Sequence, residues 1–339
     1  MKRKNGWFVA LIGLAIFAVC AHCQRQSNKQ GVEETKGDDF SRSLDLQEYD
    51  DEEDFGWEIV DNGVAITAYL AGERYVSIPP TIQGKPVTEI GERAFLDKQL
   101  GGVTIPDSVV SIGAYAFLRT KIEFLTIPDS VTFIGAHAFG QNQLRSVTIP
   151  NSVTYIGIGA FEGNQLFSIN IPNNLTFIES GAFRNNKIAS ITIPDSVTCI
   201  GSEAFMSNQL TSIIIPDSVT CIEDSAFRFN HLTSITIPNS ITSIEDYTFD
   251  ENQLTSIIIP DSVTYIGNSA FGYNRLTSIS IGNNVTFLTA PLSSDYDGSG
   301  LYFDTTGGFG SSFAQFYQDQ ERKAGIYTCN NDVWNVEFK

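Results

Sequence analysis

Residues 193–213 read Ile193-Pro194-Asp195-Ser196-Val197-Thr198-Cys199-Ile200-Gly201-Ser202-Glu203-Ala204-Phe205-Met206-Ser207-Asn208-Gln209-Leu210-Thr211-Ser212-Ile213, and the chain repeats this stretch with little change. Prolines fall at 106, 128, 150, 172, 194, 216, 238 and 260. Phenylalanines fall at 95, 117, 139, 161, 183, 205, 227, 249 and 271, on the same step of 22 residues. A fixed period in the range of about 20–50 residues predicts a solenoid, in which each unit buries its apolar face only against its neighbours.

Within one unit, Leu210-Thr211-Ser212-Ile213-Ile214-Ile215 alternates as a strand with Leu210, Ile213 and Ile215 turned inward. Pro216 ends it, because proline cannot donate to a ladder. Asp217-Ser218 forms a turn, Val219 and Ile222 return to the core, and Glu223-Asp224-Ser225-Ala226-Phe227 is expected as a single helical or 3₁₀ turn that places Phe227 inside. The Phe column then becomes a spine of stacked rings. A second column (Asn142, Asn164, Asn186, Asn208, Asn230, Asn252 and Asn274) stands two residues before each strand's first apolar residue. Asn there is expected to bond turn backbone that the solenoid would otherwise bury unpaired. Cys199 and Cys221 share one slot of adjacent repeats, about 5 Å apart at strand spacing. That separation permits a bridge, but side chains of identical orientation make its geometry poor, so two half-buried free thiols are expected.

Outside the repeats the composition changes twice. Lys2, Arg3 and Lys4 precede the uncharged apolar run 7–21, the layout of a secretory signal and short for a membrane span. It ends either at a cleavage site, Val19-Cys20-Ala21 before His22, or at a lipid-bearing cysteine, Cys20 or Cys23. Residues 24–55 are polar and acidic, expected as a disordered tether that self-repels. Trp57 to Tyr69 reads as a hairpin turning at Asn62-Gly63. The expected organisation is therefore a signal over 1–23, tether over 24–55, N-terminal cap hairpin over 56–86, repeats over 87–288 and a C-terminal capping module over 289–339. In the last of these, residues 311–320 are expected as a short helix and residues 324–338 as a hairpin.

The formal charge of −18 excludes nucleic acid as a partner, since neutralising phosphate needs clustered Lys and Arg. It also leaves a membrane contact only through a lipid anchor. The three histidines, His22, His137 and His231, stand in no metal-ligand or triad spacing, and Glu203, Glu223 and Glu245 lie on turns without a partner acid at fixed separation. No catalytic, cofactor-binding or metal-binding residue is assigned, no cofactor is expected, and the chain does not read as an enzyme.

Written as Ile-Pro-x-Ser-Val-x-x-Ile-Gly-x-x-Ala-Phe followed by Leu-x-x-Ile-x-Ile, the unit resembles the BspA-type leucine-rich repeats of bacterial surface proteins, treponemal members included. The resemblance spans about residues 57–288 with nine in-phase copies. Phe316-Tyr317, residues 323–328 and Trp334 are similar to a segment that follows such repeats in spirochaete proteins. Many family members carry cysteine near the Asn column, where this chain has Asn throughout. The resemblance implies an α/β leucine-rich-repeat solenoid, a parallel β-sheet horseshoe with short helical or 3₁₀ turns. It also implies an exported protein, attached to the cell surface or outer membrane as a lipoprotein or else secreted, that binds host, matrix or bacterial surface macromolecules.

The residues point to the same surface. Stacked Leu-x-x-Ile-x-Ile strands would form one long parallel sheet whose outward row carries Thr126, Thr148, Asn170, Thr192, Ile214, Thr236 and Ile258, with Phe124, Arg145 and Phe167 beside it. These are the candidate partner-binding residues of a non-enzymatic, adhesin-like module. A merely soluble face is the plain alternative, because Thr and Ser are good strand residues. A structural envelope protein that self-associates is the other. A further column, which includes Phe133, Tyr155 and Phe177, offers either an aromatic contact strip or packing over the repeat edge.

Overall fold

The computed structural model describes residues 49–282, 285–287, 325–330 and 333–338. The leader with Cys20 and Cys23, residues 24–48 and the expected helix at 311–320 lie outside the described residues. The acidic stretch is folded from Tyr49: Asp50 is buried and its carboxylate accepts the Ser77 N–H at 2.9 Å, Glu52–Asp54 forms a 3₁₀ turn, and Phe55 is buried. Strands Phe55–Val60 and Gly63–Tyr69 pair antiparallel. Val60 faces Gly63, so the two-residue turn is Asp61-Asn62, one position earlier than the Asn-Gly pairing expected.

From there the chain winds as stacked coils with three sides. The first side is the x-Ile pair, Lys85–Ile90, Ser111–Ile112, Phe133–Ile134, Tyr155–Ile156 and their successors, paired in parallel with directly aligned register in runs that divide after Tyr155–Ile156 and after Cys221–Ile222. The second is the Ala-Phe turn. The third is Leu-x-x-Ile-x-Ile. At the far end, strand Ser278–Ile281 pairs antiparallel with Gly325–Asn330, which pairs with Val333–Phe338 as a hairpin.

The expectation of an α/β fold is corrected: among the described residues the only helical element is the 3₁₀ turn Glu52–Asp54, and the molecule is a β-solenoid. The reason lies in the backbone of the Ala-Phe turn. Residues two before and two after each Phe hold positive φ, as at Tyr115 (58°) and Arg119 (56°), or Glu203 (58°) and Ser207 (57°). A left-handed residue interrupts a helix and costs of order 1–3 kcal/mol. Here the alternation aims N–H groups along the solenoid axis. Tyr115, Phe117 and Arg119 donate to the Ala136, Ala138 and Gly140 carbonyls of the next coil at 2.8, 2.8 and 3.1 Å. A helix would spend those donors within its own turn, leaving the coils unjoined.

The rings stack as the repeat pattern requires. From Phe117 to Phe271 successive centroids are 5.3–5.9 Å apart with planes within 17°. All nine are buried, and truncating one to Ala costs about 3–5 kcal/mol. The Asn column does the polar work. Asn208 Oδ1 accepts the Ile188 N–H at 3.1 Å, and its Nδ2 donates to the Phe183 and Phe205 carbonyls at 2.9 and 3.1 Å. A serine column adds a third tie: Ser152 and Ser196 hydroxyls donate to the Val131 and Leu175 carbonyls of the preceding coil.

Two further expectations change. The third side is not one continuous sheet: regular strands occur at Gly102–Thr104, Phe124–Leu125, Ser256–Ile259 and Ser278–Ile281, whereas residues 144–149 through 232–237 form none. The coils stay joined there by single backbone bonds, as from the Gln165 N–H to the Leu144 carbonyl at 2.9 Å and the Phe167 N–H to the Arg145 carbonyl at 3.2 Å. Cys199 and Cys221 are not free thiols. They face each other in parallel register with Cα atoms 4.8 Å apart, inside the range a bridge spans, and form a disulfide.

Candidate functional site

The candidate surface is the third side. Along Leu-x-x-Ile-x-Ile the inward residues, such as Leu210, Ile213 and Ile215, are buried, which forces their alternates outward. Thr126, Thr148, Asn170, Thr192, Ile214, Thr236 and Ile258 are all exposed and lie in one row. Phe124, Arg145 and Phe167 are exposed beside it. Four apolar side chains stand out of this hydroxyl-rich row: Ile214 at 84 % exposure, Ile258 at 67 %, Phe124 at 57 % and Phe167 at 55 %.

Asn170 and Phe167 also make contacts within the solenoid. The Asn170 side-chain amide accepts the Ile149 N–H at 3.0 Å and donates to the Ile149 carbonyl at 2.7 Å, standing in for the missing ladder between those coils. Phe167 carries the Lys187 ammonium over its ring at 5.8 Å. Asn170 is thus a structural tie as much as a contact point, which the sequence pattern could not show because it sits in a Thr position. A groove between coils, lined by Thr126, Asp129, Ser146, Thr148 and Pro150, was likewise not legible.

The face is bordered by two unlike rims. After each proline stands an exposed Asp or Asn, as at Asp129, Asn151, Asp195 and Asp217. On the opposite rim stand Lys121, Gln143, Lys187, His231 and Arg275. The first side of the coils is different again. Phe133 and Tyr155 stack there at 5.0 Å, half-exposed, and farther along the same side of the coils lie Glu179, Glu223, Asp224, Glu245 and Asp246. Burial, with Glu223 nearby, raises the Glu179 carboxyl above its ordinary range, and burial with Asp246, Glu245 and Glu223 does the same at Asp224. Cys199, Cys221 and Glu223 bring their ligand atoms within 4.8 Å of one another, but the disulfide takes both sulfurs out of ligand duty.

A run of short strands and turns, a ring spine and an Asn ladder at a period of 22 residues define a leucine-rich-repeat protein. More narrowly, the family model for the BspA type leucine rich repeat region matches residues 88–209 and 198–292, and the chain belongs to that family. Among solved structures it is similar to a leucine-rich repeat protein from Bacteroides ovatus, with 27% identity, a TM-score of 0.58, and coverage of 76% of this chain and 70% of that one. A leucine rich cell surface protein from Faecalibacterium prausnitzii matches at 23% identity and a TM-score of 0.40, over 77% of this chain and 99% of that one. The pneumococcal vaccine antigen PcpA matches at 20% identity and a TM-score of 0.46, over 70% and 84%. No curated protein matches the chain in sequence.

Proposed function

We propose that this is a non-enzymatic, adhesin-like binding protein, exported and held at the cell surface, that recognises a protein or other macromolecular partner through the third side of its coils. The observation that carries the reading is the set of four apolar side chains, Phe124, Phe167, Ile214 and Ile258, more than half exposed along a face whose charges in the row and its flank are Glu123 and Arg145. Exposed apolar groups on an extended, hydroxyl-rich surface are the layout of hot spots surrounded by adaptable polar contacts. Extended solenoid surfaces serve macromolecular partners far more readily than small molecules, because they are long and open rather than concave and closed. In this reading the two hairpins cap the solenoid, the leader exports the chain, and Cys20 or Cys23 supplies a lipid anchor behind an acidic tether.

The test is a solid-phase binding assay of the mature protein against matrix proteins and intact bacterial cells, compared with a variant carrying Phe124→Ser, Phe167→Ser and Ile214→Ser. The three side chains are exposed, so the fold is expected to survive, as circular dichroism would verify. A loss of binding of tenfold or more is expected; binding that survives all three changes removes this face from the function.

A further inference from the structure

The ladder on the first side of the coils is interrupted twice, and the interruptions follow one column of the sequence. After each x-Ile pair the chain places Gly113, Gly135, Gly157, Gly201 and Gly267, whose N–H groups donate to the Ile carbonyl of the preceding coil at 2.7–2.8 Å. At each of these glycines an added Cβ would come within 2.5–2.8 Å of the preceding coil's backbone. None of the five has positive φ, so the requirement is for space and not for conformation.

Three positions of that column hold Glu instead: 179, 223 and 245. At two of them the ladder is lost. Among the described residues no backbone hydrogen bond joins residues 154–156 to 176–179, or 220–222 to 242–245, and the parallel sheet divides at both points. At Glu223 it is kept. Glu223 donates to the Ile200 carbonyl at 2.9 Å and Thr220 to the Thr198 carbonyl at 2.8 Å. This is the coil pair that the Cys199–Cys221 disulfide crosses, in direct register.

We propose that the Cys199–Cys221 disulfide is a redox-sensitive clip that holds closed a coil junction its glutamate would otherwise open. Reduction by a dithiol transfers two electrons and two protons, breaking the S–S bond to give two thiols and converting the reductant to its own disulfide. The junction then matches those at Glu179 and Glu245, and the first side acquires a third opening. Glu223 also accepts hydrogen bonds from the Ser202 N–H and hydroxyl at 2.9 and 3.1 Å, a tie that Glu179, next to Ile158, and Glu245, next to Asp224, do not have. The experiment separates the two ties.

Hydrogen exchange of the full chain is followed by mass spectrometry with and without dithiothreitol, with alkylation reporting the thiol state. In the oxidised protein the Thr220 and Glu223 amides should exchange at least tenfold more slowly than those of Thr242 and Glu245. Reduction, or Cys199→Ser with Cys221→Ser, should erase that difference, and adding Glu223→Gly to the serine variant should restore it. Glu223→Ala with the disulfide intact, which removes both Ser202 bonds and keeps the Cβ, should leave it in place. The proposal is overturned if both cysteines alkylate without reductant, if protection at Thr220 and Glu223 survives reduction, or if Glu223→Ala alone removes it.

Discussion

Asn208→Ala removes one member of the Asn column from the middle of the solenoid, and its cost can be worked from the bonds. The Ile188 N–H has Asn208 Oδ1 as its partner at 3.1 Å and is left buried and unpaired. An orphaned buried donor costs about 1–3 kcal/mol. The two carbonyls fare better. Phe183 still receives Asn186 Nδ2 at 3.1 Å, and Phe205 still receives Asn230 Nδ2 at 2.9 Å, so each loses one of two partners. With the side-chain volume also vacated, the expected destabilisation is about 2–4 kcal/mol. Urea unfolding followed by far-ultraviolet circular dichroism measures it, with Gln209→Ala as an exposed neighbour that should shift stability by no more than about 0.5 kcal/mol. Because each coil touches only its neighbours, a weakened junction should also lower the apparent slope of the transition as the two halves uncouple. A loss below about 0.5 kcal/mol for Asn208→Ala would refute the assignment of the column as the coil-to-coil polar tie.

The buried Asp250 makes stability depend on pH. Burial pushes its carboxyl up to about 6, outweighing the Arg228 guanidinium 2.8 Å away, which pulls it down. A carboxyl raised above its unfolded value near 3.8 stabilises the fold fully below that pH and loses this contribution as pH rises through about 6. The loss is about 3 kcal/mol in all at 1.36 kcal/mol per unit, of which about 2 kcal/mol falls between pH 4 and pH 7. Asp250→Asn should therefore unfold with a flatter pH dependence over that window; parallel pH profiles for the two proteins would contradict the reading. At the other end of the chain, mass spectrometry of the mature N-terminus should find an acylated Cys20 or Cys23, and an unmodified His22 would show a released protein instead.

The solenoid, its spine and its Asn column were legible because each is a periodic demand. Phe139, Phe161 and Phe183 can all be buried only if copies stack, and Asn in seven successive copies answers the same orphaned backbone in each. The outward row could be read for the same reason: once Leu210, Ile213 and Ile215 are inside, Ile214 has nowhere else to point. What repetition could not supply was how the copies are spaced and joined. On the third side the regular ladder lapses over residues 144–149 through 232–237, and the exposed Asn170 bonds the Ile149 backbone instead. Left-handed residues such as Tyr115 and Glu203 replaced the expected helical turn, because donors aimed at the next coil join the coils and donors kept within a turn do not. Whether Cys199 and Cys221 bond was a matter of side-chain geometry, since the separation expected from strand spacing, about 5 Å, is close to the 4.8 Å found. The residues by themselves determined that the chain stacks; the contacts across each junction, which depend on atoms 22 positions apart, decided how tightly.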